Sequence, residues 1–244
     1  MSAAARQMVL DLVPRPALGR GDFLVSAANA AAVALVDAWP DWPGGRLALI
    51  GPESAGKTHL AHVWMAESGA VAADAAGLGA GDVPRLVAHG AAVVEDADRL
   101  AALPGDARRA AEGALFHLMN LMAAEGGRLL LTGRTPPAAW AIATPDLASR
   151  LQALPVARIA APDDAFLSSI LVKLFADRQL PVGPEVVTYL VERIDRSFAA
   201  AERVVAGLDA LSLGERRRIT RRLAADYLGQ PADDGNGSPT PGDG

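Results

Sequence analysis

GPESAGKTHLAHVW, Gly51 to Trp64, is the stretch that decides the fold. Its first eight residues, Gly51-Pro52-Glu53-Ser54-Ala55-Gly56-Lys57-Thr58, fit the pattern G-x-x-x-x-G-K-[ST]. That pattern has meaning only between a strand and a helix, and both neighbours are present. RLALI, Arg46 to Ile50, is a short apolar run that ends at a glycine. KTHLAHVWMAES reads as a helix. The glycines let backbone N–H groups close on phosphate oxygens, and the helix N-terminus adds its positive dipole end. Lys57 is placed to reach the β and γ phosphates, and the Thr58 hydroxyl to hold Mg²⁺.

Working outward, strand and helix signals alternate. AVAAD (70–74) is a weak strand, and AAVVEDAD (91–98) is an apolar strand ending in acid. A helix from about Asp106 to Glu125 has Ala111, Leu115, Leu118, Met119 and Met122 on one face. RLLLTG (128–133) and ALPVARIA are further strands, with a short helix near Leu147–Leu151 between them. Buried strands alternating with helices predict an α/β fold: a parallel sheet with helices on both faces. After Pro162 the pattern becomes all helical. Asp163 is the expected N-cap of a helix to about Arg178, and Pro184 starts a second with Val187, Leu190, Val191 and Ile194 as its stripe. A third covers about Phe198 to Leu213. A fourth is expected from Glu215 to Leu228, with Ile219, Leu223 and Tyr227 inward and the arginines between 216 and 222 on a solvated face.

The layout is therefore a leading peptide and linker (1–20), an α/β nucleotide-binding body (21–161), a small helical lid (162–229) and a disordered tail (230–244). The chain has 244 residues, is 51% hydrophobic and has no cysteine, which excludes disulfides and thiolate zinc sites. A net charge of −5 argues against coating nucleic acid by charge alone. The first residues lack an unbroken apolar core, and no apolar run reaches the ~18 residues of a membrane span, so a soluble cytoplasmic protein is expected.

The partner of the cradle is Val93-Val94-Glu95-Asp96. A strand ending in acids, placed next to the cradle strand, brings one carboxylate to Mg²⁺ and the next to an attacking water. Glu95 is the expected metal ligand with Thr58, and Asp96 the expected catalytic carboxylate.

Gly56-Lys57-Thr58-His59-Leu60-Ala61-His62 resembles the DnaA group of AAA+ P-loop proteins. Phe116-His117-Leu118-Met119-Asn120 is similar to that group's F-H-x-x-N, Thr132 to Pro137 to its sensor I strand and following Pro-Pro, and Leu147-Ala148-Ser149-Arg150-Leu151 to its box VII. Asp22-Phe23-Leu24-Val25, with Asn29, resembles the N-terminal box that packs on adenine. The resemblance spans about residues 22 to 228 in order. It implies ADP or ATP with Mg²⁺ as ligand, held by Phe23, Leu24, Pro52, Glu53, Ser54, Ala55, Gly56, Lys57, Thr58 and His59. Thr132 and Arg134 fall in the sensor I region. Arg150 is implied to be an arginine finger acting in trans.

A lone module of this kind, without the helix-turn-helix domain that DnaA itself carries, is similar to the Hda-type regulatory inactivators of DnaA. Gln7-Met8-Val9-Leu10-Asp11-Leu12 is similar to the Q-x-x-L-x-L peptides that dock on the bacterial sliding clamp. Leu10 and Leu12 would enter an apolar cleft, with Gln7 on its rim. The resemblance thus implies three partners: the sliding clamp (the beta subunit of DNA polymerase III), the initiator DnaA, and DNA reached through the clamp. It implies a place at the nucleoid and replisome, no membrane, and leaves a homodimer open. A helicase-loader-type ATPase and a non-catalytic clamp adaptor are the rival readings.

Three departures bear on turnover. Glu95 stands where the group carries Asp, and Arg134 where it tends to carry an acid. The sensor II arginine should fall near Ala199 or Ala200, with Arg203 one turn on as the substitute. They imply a pocket that binds nucleotide and hydrolyses it poorly.

Overall fold

The computed structural model describes residues 23–215 and 217–229. Gln7, Leu10 and Leu12 of the expected clamp peptide, and the expected tail 230–244, lie outside the described residues. Five strands form one parallel sheet: β1 (Arg46–Ile50), β2 (Val71–Asp74), β3 (Ala91–Glu95), β4 (Arg128–Gly133) and β5 (Val156–Arg158). Their order is β2-β3-β4-β1-β5.

Alternation along the strands makes two apolar layers. Ala48, Ile50, Val94 and Leu131 face one side, covered by α3 (Val83–Ala88), α4 (Gly105–Ala124) and α5 (Pro145–Gln152). Leu47, Leu49, Val93 and Leu130 face the other, covered by α1 (Ala30–Asp37) and α2 (Lys57–Ser68). The expected stripe of α4 is buried in full. Two helices were not anticipated. AAAVALVD of α1 is apolar nearly all round and gives no 3.6-residue stripe, and α3 is only six residues long with a proline in its first turn. Parallel strands β2 and β3 nevertheless require a crossover such as the one α3 supplies.

The sheet order corrects one expectation. The acidic strand β3 is not the neighbour of the cradle strand, because β4 pairs with both and lies between them. The C-terminal ends of all three still meet at one edge. Strand order is set by which crossovers pack, and no local residue pattern announces it.

The lid has its own core. Helices α6 (Asp164–Asp177), α7 (Pro184–Val191), α8 (Phe198–Glu215) and α9 (Arg221–Leu228) enclose Leu167, Leu171, Leu190, Val205, Leu208 and Leu223. The Asp163 carboxylate accepts from Phe166 N–H, the expected N-cap. The expected helix from Glu215 to Leu228 is overturned. Helix α8 runs on to Glu215, and α9 starts only at Arg221. The Thr220 hydroxyl caps Leu223 N–H, and the Ser212 hydroxyl donates to Arg217 C=O, so the chain turns here instead of continuing. Arg217 and Arg218 therefore lie in a connection, and Arg221 and Arg222 in the first turn of α9, not on one helical face. Ile219 and Leu223 are buried as expected, whereas Tyr227 is 38% exposed.

Candidate nucleotide site

The cradle joins the end of β1 to the start of α2. A Cβ at position 51 would come within 2.6 Å of the Ile159 carbonyl oxygen, so only glycine lets the loop leave the sheet beside the residue that follows β5. Gly56, at φ +97°, opens α2 in a conformation that side chains resist. Ser54 adopts φ +57°, a strained choice for a residue other than glycine. Lys57 is buried, and its ammonium donates to the carbonyls of Gly51 (2.9 Å) and Pro52 (2.8 Å). Burial lowers the Lys57 pKa, against the attraction of Asp96 and Asp98.

A cleft of about 320 Å³ opens over this loop, lined by Glu53, Ser54, Gly56, Lys57, Thr58 and His59 on the cradle side. Asp96, Arg99 and Arg134 form the opposite wall. Asp96 follows β3 in the left-handed region (φ 53°, ψ 43°), and its N–H donates to Thr132 Oγ1 at 2.9 Å. Thr132 is buried on β4, so this hydrogen bond ties the acidic strand to the strand between it and the cradle. The Asp96 carboxylate pairs with Arg99 at 3.2 Å, and Arg134 pairs across the cleft with Glu53 at 3.2 Å. Arg99 was not foreseen. It sits one 3-10 turn past the acids, and its sequence context looks like an ordinary surface arginine.

Glu95 does not line the cleft, and its Oε1 is buried without a hydrogen-bond partner. An orphaned carboxylate oxygen at that strand end, with Asp96 and the Thr58 hydroxyl in the cleft, suits a hard cation bound by oxygen. Among the described residues no group of three or more His, Cys, Asp or Glu forms a protein-only metal cage. Mg²⁺ held with phosphate and water needs none.

The base side is apolar. Phe23 stands edge-on to His59 (centroids 5.1 Å apart, 84°), and His59 faces Phe198 of the lid at 6.3 Å. Asn29 fixes the strap that carries Phe23 and Leu24. Its amide donates to Leu24 C=O at 2.9 Å, and its oxygen accepts from Ser26 N–H at 2.8 Å. Phe23, Leu24 and Ala55 line this pocket, together with four residues that the sequence reading did not single out: Pro162, Phe166, Ile170 and Phe198. They lie on two lid helices and in the segment before them, which meet only in the fold. Phe198 N–H donates to Ser54 C=O at 3.1 Å, stitching lid to cradle. Ala199 lines the phosphate cleft, Ala200 is buried, and Arg203 is exposed away from it.

Arg150 lies elsewhere. It is exposed on α5, with its guanidinium over the Phe116 ring at 5.1 Å, and is not part of the cleft. Its charge is felt at Arg46, the first residue of β1, whereas the cradle follows the last. Burial, and then Arg150, lower the Arg46 pKa. Helix α5 is held by Glu112, a carboxylate 1% exposed on α4. Glu112 accepts from Ala143 N–H (3.0 Å), Thr144 N–H (2.8 Å), the Thr144 hydroxyl (2.7 Å) and Arg108 Nε (2.8 Å). Burial alone would raise its pKa, but these donors outweigh it and lower it to about 2.

No protein-family model matches the chain. Among solved structures it is similar to domain III of the replication initiation protein DnaA from Thermotoga maritima, at 17% identity and a TM-score of 0.72, over 88% of this chain and 97% of that one. It is also similar to AMPPCP-bound DnaA from Aquifex aeolicus, at 18% identity and a TM-score of 0.64, over 83% of this chain and 70% of that one. The Thermotoga maritima RuvB Holliday junction branch migration motor matches at 15% identity and a TM-score of 0.67, over 86% and 71%. Likeness at such identities is likeness of fold. With its five-stranded parallel sheet, its cradle at the end of β1 and its helical lid, the chain has a DnaA-like AAA+ P-loop fold.

Proposed function

We propose that the chain is a negative regulator of chromosomal replication initiation. It binds ADP or ATP, docks on the DNA-loaded sliding clamp through Gln7, Leu10 and Leu12, and stimulates ATP hydrolysis by DnaA with Arg150. The single observation that carries this reading is the position of Arg150: exposed, pre-set on the Phe116 ring, and away from the chain's own cleft. A guanidinium so placed lies outside the cleft of its own molecule. Offered to the γ-phosphate held by a neighbouring subunit, it neutralises charge that grows in the transition state.

In this reading the chain's own cleft holds rather than burns nucleotide. Lys57 and the loop N–H groups bind phosphate, Thr58 and Glu95 would hold Mg²⁺, which would offset phosphate charge, and Asp96 is the carboxylate placed for an attacking water. Glu112 fixes the loop before α5 and so positions Arg150. The test is a reconstitution with DnaA, clamp and DNA. DnaA-bound ATP should convert to ADP only when all four components are present, and Gln7→Ala or Leu10→Ala should abolish the stimulation even with all four present. Stimulation without clamp would contradict the docking role.

A helicase-loader-type ATPase has one observation in its favour: Asp96, tied to Thr132, does line the chain's own cleft. That reading requires robust turnover by the chain alone. A non-catalytic adaptor requires that activity survive the loss of Arg150.

A further inference from the structure

The charges around the phosphate cleft come from one side only. Lys57, Arg99 and Arg134 all belong to the α/β body. Among the described residues, the lid contributes only Phe198 and Ala199 to that cleft, and neither carries charge. The lid arginines nearest in sequence do not line it. Arg196 makes a two-pronged pair with Asp164 (2.8 and 3.1 Å), and Arg203 is exposed outside the cleft. The base pocket is built the other way. Pro162, Phe166, Ile170 and Phe198 of the lid close on Phe23 and Leu24 of the strap, apolar against apolar.

We infer that the lid reads the base and is blind to the number of phosphates. A flat aromatic base between Phe23, His59 and the lid residues would join lid to body through buried apolar area. A γ-phosphate would meet only body cations, so it adds no contact that differs between lid positions. A ligand shifts a conformational equilibrium only by its differential interaction with the two states. ADP and ATP should therefore set the same lid arrangement, and the chain would present Arg150 in either nucleotide state. This rests on the nucleotide-binding part of the proposed function. It goes beyond it by assigning lid control to Phe166, Ile170 and Phe198 and denying it to the γ-phosphate.

The test uses the full chain with ADP and with a non-hydrolysable ATP analogue. Affinity is read by calorimetry, and lid docking by amide hydrogen exchange over residues 163–200. The two nucleotides should protect the lid equally, whatever affinity the body cations add for a γ-phosphate. Phe166→Ala should lose lid protection equally with both. Ala199→Arg places a cation on the lid side of the cleft and should raise the preference for the ATP analogue about tenfold over that of the wild-type chain, with extra lid protection that ADP does not give. Folding of each variant is checked by circular dichroism, and Ala199→Lys serves where Ala199→Arg does not fold. A wild-type chain whose lid is protected more by the ATP analogue than by ADP overturns the inference and leaves nucleotide binding intact. Failure to bind either nucleotide overturns nucleotide binding itself, and the inference with it.

Discussion

At the scale of single residues, Glu112 is the group whose surroundings most constrain its chemistry. Four donors surround one buried carboxylate and lower its pKa from 4.5 to about 2. A depressed folded-state pKa gives stability that is present in full above about 4.5 and lost as pH falls toward about 2. Urea unfolding should therefore show the native chain losing on the order of 3 kcal/mol through this window from this group. Glu112→Gln should be less stable than wild type at pH 7 by about 3 kcal/mol and should flatten that acid dependence. A variant as stable as wild type at pH 7 would contradict the hold of Glu112 on the segment before α5. Lys57 gives a second expectation at this scale. Lys57→Ala removes a charged donor to phosphate and should weaken nucleotide binding by about a hundredfold, read by calorimetry. Unchanged affinity would mean that the cradle does not hold phosphate.

At the scale of elements, the strand–helix junctions carry the site, and close packing constrains them. The Trp140 ring stands where a Cβ on Gly133 would be, at 2.7 Å, and is anchored by its indole N–H to Thr135 C=O at 2.7 Å. Gly133→Ala at the end of β4 should cost about 1–3 kcal/mol and shift the Trp140 fluorescence on thermal unfolding. An unchanged Tm would show that the ring yields. The cradle, the five strands, the α4 stripe and the Asp163 cap were legible because each is a local pattern of residue types. What was not legible depends on contacts between distant segments. Nothing in RLLLTG says that it lies between the cradle strand and the acidic strand. Nothing in DARRAAEG marks Glu112 as buried, since it reads as a surface glutamate until Ala143 and Thr144 close on it. Phe166 and Ile170 read as ordinary core positions of an amphipathic helix, and only the fold turns them toward the base pocket. The α8–α9 turn was hidden by an arginine run with good helix propensity, which the Thr220 cap and the Ser212 hydrogen bond override.

At the scale of the whole molecule, the cleft and Arg150 lie apart. The cleft sits where β1, β3 and β4 end, and Arg150 sits on α5, coupled electrically to the opposite end of β1. The α/β body between them is tightly packed, with strand residues such as Leu49, Val93 and Leu130 fully buried. No helix among the described residues is long and apolar enough to cross a membrane. In the proposed reading the module holds its own nucleotide as a structural part and offers a cation to another subunit. Phe116 bears on the same division of labour. Phe116→Leu keeps an apolar neighbour but removes the ring face under Arg150, so it should lower stimulation by about three- to tenfold, less than loss of the arginine itself. The same activity as wild type would mean that the stacking does not prepare the guanidinium.

The measurement that bears most directly on this account is single-turnover hydrolysis of ATP bound to DnaA, on clamp-loaded DNA, with wild-type chain, Arg150→Lys and Arg150→Ala. Wild type should accelerate it by at least about a hundredfold over Arg150→Ala, and Arg150→Lys should recover only a small part, because an ammonium lacks the planar fork. Equal acceleration by wild type and Arg150→Ala would contradict the arginine-finger account.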